Sequence, residues 1–198
     1  MSDNNDYITK KRILNTARKI FFTIGYSKTT MDELSTELRM SKKTLYQFFN
    51  SKQILLEAVI YDFFQEFQNK INQLLEKNNH NGLGIFKQFL FLVQSQISQF
   101  NIHAFDDIRK NNPDAWQKIN QLRKSMINGK LRELLKQGKK DETIRKDVDL
   151  DIIVLIILNT IQSIAIPEVI SQYSYSTKEI LEIISTIIMD GISTSKIY

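Results

Sequence analysis

The stretch TTMDELSTELRMSKKTLYQFFNSK, residues 29–52, decides the fold. Thr30 stands three residues before Glu33. At that spacing the two side chains can each cap the other's backbone N–H, so a helix is expected from Met31. Met31, Leu34 and Leu38 fall on one face of it. Ser41 is a second cap-type residue and places Lys42 at the first position of another helix. Leu45 and Phe49 lie four apart in that helix, with Phe48 beside them, and form its inward face. Asn50 and Ser51 are cap-type again, so a longer helix begins at Lys52. The positions left over, Lys42, Lys43, Thr44, Tyr46 and Gln47, are nearly all donors suited to phosphate oxygens or base edges. A short helix, a turn at Arg39 and Met40, and a second helix with a donor-rich outer side describe a helix-turn-helix.

Upstream, Ile13, Leu14, Ala17, Ile20, Phe21 and Ile24 make one apolar helical stripe, and Gly25 suits its end. Three short helices thus fall within about 50 residues. Charge marks the same boundary. Residues 1–52 hold ten Lys/Arg and five Asp/Glu, which is the whole net charge of +5, while residues 53–198 hold 17 of each. A small basic module joined to a neutral body points to a phosphate-bearing partner.

Downstream the helices lengthen. One is expected over residues 52–78, broken by NNHNGLG (78–84). Another covers 85–100, a short one lies around 103–111, and one opens on Pro113 and stops at Gly138. After the charged connection GKKDETIRKDVD (138–149), Asp149 opens an apolar helix around 152–166, and Pro167 kinks or restarts it. Ser176 and Glu179 form a second capping box before a last helix carrying Ile180, Ile184, Ile187 and Ile188. The expected fold is all-α, with about nine helices. Residues 1–52 form a helix-turn-helix domain and residues 53–198 a larger helical body.

Several function classes drop out. There is no cysteine, hence no disulfide and no thiolate metal site. His80 and His103 stand alone, without metal-ligand spacing. No glycine-rich phosphate loop and no convergent polar site suggests an enzyme or a cofactor. The polar start MSDNNDYITKKR is no secretory signal, and the apolar run 152–166 is short for a membrane span, so a cytoplasmic protein is expected.

The run from residue 13 to 56, with ARKIFFTIGYSKTTMDELSTELRMSKKTLYQFFNSKQILL at its heart, resembles the DNA-binding domain of the tetracycline-repressor (TetR) family of bacterial transcriptional regulators. Ala17, Phe21, Gly25 with Tyr26, Thr30, Leu34, the run from Ser41 to Tyr46, Phe49 and Lys52 carry the likeness. FDDIRKNNPDAW (105–116) and GKKDETIRKDVD extend it, less specifically, to a C-terminal domain of that family. The resemblance implies that Lys42, Lys43 and Thr44 enter the major groove and that Tyr46 and Gln47 reach the backbone. It also implies that Thr30 and Lys52 hold phosphates. Two departures stand out: Arg39 occupies a turn position usually held by glycine, and Lys43 replaces a frequent glycine.

The resemblance further implies a small-molecule effector pocket in the body. Phe64, Phe67, Phe86, Phe89, Trp116, Ile119 and Met126 are candidates, with Gln162 as a polar guest. The helix around 152–166 is apolar nearly all round and needs cover on more than one side. With the last helix it offers a homodimer surface through Ile153, Ile156, Ile157, Ile180, Ile184, Ile187 and Ile188. The expected protein is a homodimeric, ligand-responsive repressor, released from a palindromic operator on double-stranded DNA by a small hydrophobic effector. The alternative is an all-α dimeric ligand-binding or adaptor protein that no longer reads DNA.

Overall fold

Helix α1 (Ser2–Thr23) ends where Gly25 adopts a φ of 119°, a conformation that favours glycine. A Cβ there would also lie 3.1 Å from the Asp107 carboxylate. A computed structural model of the chain describes residues 2–76, 81–97, 101–164, 172 and 174–194. The elements after α1 are α2 (Met31–Glu37), α3 (Lys42–Phe48), α4 (Lys52–Glu76), α5 (Gly82–Ile97), α6 (Ile102–Asn111), α7 (Pro113–Lys140), α8 (Leu150–Ile164) and α9 (Thr177–Ile192). All nine helices among the described residues are α-helical, as the periodicity requires. The expected effects of Pro167 and His80 lie outside the described residues.

The expected caps are present. Thr30 and Ser176 each complete a capping box, with Glu33 and Glu179 respectively. Ser41 caps α3 by accepting from the Thr44 N–H at 3.0 Å. Asp149 Oδ1 accepts from the N–H groups of Asp151 and Ile152 at 2.8 and 3.2 Å, which opens α8.

Gly138 departs from expectation: it lies inside α7 and does not end it. Its role is steric. A Cβ on Gly82 would stand 2.2 Å from the Gly138 backbone nitrogen, and a Cβ on Gly138 would stand 2.4 Å from Ile144 Cδ1. Two bare backbones let the start of α5 meet the last turns of α7. Asp141 joins them, its carboxylate accepting from the Gly82 N–H at 2.6 Å. The left-handed residue that reverses the chain is Glu142, at φ 61°.

The chain divides into two compact units, residues 1–66 with 100–120, and residues 67–99 with 121–198. In the first, Ile13, Ala17, Phe21, Leu34, Leu45, Leu55, Leu56, Val59 and Ile108 are all fully shielded from solvent. Each of the larger side chains, Ala17 aside, contributes roughly 1.5–3 kcal/mol of transfer free energy. Phe22 packs against Phe63 and Phe105, with ring centroids 6.0 and 5.1 Å away. Ile24 of the expected stripe lies past the end of α1 and is exposed. In the second unit α5 packs on α9, and Phe86, Phe89, Leu131, Leu135 and Ile144 are buried. No helix of the described residues is long and apolar enough to cross a membrane.

Candidate nucleic-acid interface

The turn between α2 and α3 fixes the angle at which α3 is presented. Leu38 caps α2, and Arg39 then takes a φ of 50°. The Arg39 N–H donates to the Thr36 carbonyl and the Met40 N–H to the Ser35 carbonyl, both at 3.0 Å. This is the Schellman closure, in which the left-handed position is usually glycine. Placing an arginine there costs about 1 kcal/mol against glycine. The turn closes nonetheless, so the departure noted in the sequence leaves the geometry intact.

Leu45 and Phe49 are buried and hold α3 to the domain, while Phe48 is half-buried. On the outer side Lys43, Tyr46 and Gln47 are exposed, and none of their side chains forms a hydrogen bond or ion pair with a described residue. The other expected contacts are occupied. The Lys42 ammonium donates to Asp32 at 2.6 Å. The Thr30 hydroxyl accepts from the Glu33 N–H at 3.2 Å and donates to the Glu33 carboxylate at 2.9 Å. Thr44 is half-buried, its hydroxyl 2.8 Å from that of Ser41. The Lys52 ammonium donates to the carbonyls of Tyr26 and Thr29 at 3.0 and 2.8 Å and sits 4.2 Å from the centre of the Tyr26 ring. Two of its three donors are therefore spent on the loop before α2.

Neighbouring helices brace this surface. Asp107 of α6 accepts the Ser27 N–H at 2.7 Å, the Ser27 hydroxyl, and an amide N–H of Asn111 at 2.7 Å. Burial alone would raise the Asp107 pKa; these donors outweigh it and hold the carboxyl below its ordinary value. Asn112 donates to Gln53 at 2.6 Å. Lys11 pairs with Asp62, and Arg18 donates to Glu66 at 2.6 Å, tying α1 to α4. The Asp62 hydrogen bond raises the Lys11 pKa against desolvation. Glu66 is lowered, because Arg18 and Lys11 together outweigh its own burial.

Nothing in the sequence pattern signals Asp32 as the partner of Lys42, because the two stand ten residues apart on different helices. Asp107 bridges to the loop after α1, and Asp106 pairs with Arg109 and Lys110 on its own helix.

The expected effector residues are distributed over both units. Phe67, Phe86, Phe89 and Met126 are buried in the second; Ile119 is buried and Phe64 and Trp116 half-buried in the first. Gln162 is exposed on α8, and Asn159 donates to the Leu155 carbonyl of its own helix at 2.8 Å. Of the expected dimer residues, Ile157 and Ile188 are buried within the chain, and Ile153, Ile180 and Ile184 are half-buried. Ile156 and Ile187 are exposed, joined by Ile152, Leu155 and Ile183. Among the described residues no group of three or more His, Cys, Asp or Glu could hold a metal ion.

Residues 13–59 match the family model described as bacterial regulatory proteins, tetR family. The chain is 28% identical over 186 residues to YvaF of Bacillus subtilis (strain 168), named as an HTH-type transcriptional regulator, with 94% of this chain and 96% of that one covered. It is 27% identical over 107 residues to IcaR of Staphylococcus aureus, named as a negative transcriptional regulator of the biofilm operon icaADBC, with 54% and 56% covered. The fold is that of FadR from Bacillus subtilis, solved in complex with stearoyl-CoA: TM-score 0.70 at 18% identity, covering 92% of this chain and 98% of that one.

Proposed function

We propose, since this chain belongs to the TetR family of bacterial regulatory proteins, that it represses transcription as a homodimer and leaves a near-palindromic operator when a small hydrophobic effector binds. The outer side of α3 carries this reading. Lys43, Tyr46 and Gln47 are exposed and uncommitted on a helix pinned by Leu45 and Phe49. Residues 1–52 would read DNA, and residues 53–198 would take the effector and pair with a second copy. The exposed rows Ile152, Leu155 and Ile156 of α8 and Ile183 and Ile187 of α9 support pairing. A dimer of this kind sets its two α3 helices roughly 34–36 Å apart, one turn of DNA.

Repression is the role named for IcaR, and an acyl-CoA is the molecule bound to FadR. The effector would act by shifting α4, and a coupling of about 1–3 kcal/mol is enough to release the operator. The protein would work in the cytoplasm, where the operator is.

The test is fluorescence anisotropy with duplexes from the chain's own upstream region and from a genomic fragment pool, across a salt series. Wild type is expected to bind with a steep salt dependence, and Lys43→Ala/Tyr46→Ala to bind at least tenfold more weakly, at about 1–3 kcal/mol per lost base contact. Stearoyl-CoA is the first effector probe. A wild-type protein that binds no duplex even at low salt would sink the DNA-reading proposal and leave the dimeric adaptor standing.

A further inference from the structure

We infer that Arg39 is a DNA-contacting residue, its guanidinium gripping a phosphate beside the bases that α3 faces. This rests on the DNA reading proposed above. Three observations lead to it. First, Arg39 holds a left-handed backbone, φ 50°, at a position where glycine would sit without strain. Hydrogen bonds at 3.0 Å from its own N–H and from that of Met40 enforce the conformation. An enforced outlier of this kind points to a use for the side chain that it carries.

Second, the fold makes no use of that side chain. The Arg39 side chain is exposed and forms no hydrogen bond or ion pair with a described residue. Third, the cations that flank it in the motif are already engaged, Lys42 by Asp32 at 2.6 Å and Lys52 by two backbone carbonyls. Of the basic residues within the α2–α3 motif and the start of α4, only Arg39 and Lys43 remain uncommitted among the described residues.

Arginine suits the task. Its planar fork of donors matches two phosphate oxygens at once, which lysine cannot do. Arg39 lies two residues before Ser41, and each step between Cα atoms is about 3.8 Å, so its long side chain stays within reach of what the start of α3 meets.

The experiment compares wild type, Arg39→Gly and Arg39→Lys in thermal melting and in duplex binding across a salt series, with two unrelated duplexes. Arg39→Gly is expected to melt higher than wild type, because the turn is relieved of strain. It is nonetheless expected to bind both duplexes about threefold to tenfold more weakly, with a salt slope shallower by roughly 0.9 per lost phosphate contact. Arg39→Lys should keep the slope and recover only part of the affinity. Wild-type affinity and slope in Arg39→Gly would overturn the inference while leaving the DNA-reading proposal intact. A loss confined to one duplex would overturn the phosphate assignment in favour of base reading. Failure of wild type itself to bind any duplex would remove both.

Discussion

The α2–α3 pair and the α8 and α9 helices each leave one side to solvent, and the sides they leave are opposite in kind. Around α3 the open side is Lys43, Tyr46 and Gln47. On α8 and α9 it is Ile152, Leu155, Ile156, Ile183 and Ile187, with Ile187 65% exposed. A polar side meets water at no cost and can exchange it for a polyanion. An apolar side of branched aliphatic residues is unfavourable in water, and its removal from water is worth about 25 cal/mol for each Å² covered. Under the proposed function the first surface engages and releases, and the second stays covered.

Breaking the second surface should have the largest effect. Leu155→Glu with Ile187→Glu places charges where the proposed dimer is dry, at several kcal/mol per buried ion. Sedimentation should show monomers at concentrations where wild type is dimeric, with operator binding reduced at least a hundredfold. Unchanged sedimentation would move the dimer surface elsewhere.

Next comes the support of the first surface. Leu45 is fully buried beneath α3, and Leu45→Ala should cost about 2–5 kcal/mol in chemical denaturation. Lys43→Ala, on the opposite side of the same helix, should cost almost nothing there and act only on DNA binding.

A smaller effect is expected from acid. Asp107 and Glu66 have pKa values lowered by folding, so they contribute stability that is fully present above their ordinary values and is lost as pH falls through the folded ones. Denaturation midpoints should drop below about pH 4, and Asp107→Asn should flatten that drop. An undiminished drop would assign it to other carboxylates. The smallest effect is that of Asp32→Asn. The Lys42–Asp32 pair is exposed on both sides and worth at most about 1 kcal/mol to the fold. Its removal should leave melting almost unchanged and tighten duplex binding a few-fold by freeing Lys42, which a titration at fixed salt would detect.

The two regions also differ in how far they could be read beforehand. Caps are local, so Thr30 with Glu33, Ser41, Asp149 and Ser176 with Glu179 could be found without tertiary structure. A short helix with one apolar stripe declares its inward face, as Leu34, Leu45 and Phe49 do. In α8 nearly every position is apolar, and periodicity could not rank the sides. Ile157 faces inward at 3% exposure while its neighbour Ile156 is 44% exposed. Gly138 looked like a stop because glycine ends many helices; only the approach of Gly82, far off in sequence, explains why a glycine stands within α7. The engagement of Lys52 was equally hidden, since its acceptors are backbone carbonyls 26 and 23 residues away.

That engagement has a mechanical consequence. Lys52 is the first residue of α4, and its ammonium grips the carbonyls of Tyr26 and Thr29, immediately before Thr30, the cap of α2. The head of the long helix is thus leashed to the foot of the motif, with no slack beyond one side chain. A rotation of α4 must either carry the beginning of α2 along or tear both hydrogen bonds and slide the ammonium off the Tyr26 ring. Lys52→Met would cut the leash while keeping most of the bulk, leaving the motif folded but free to lag behind the helix that is proposed to move it.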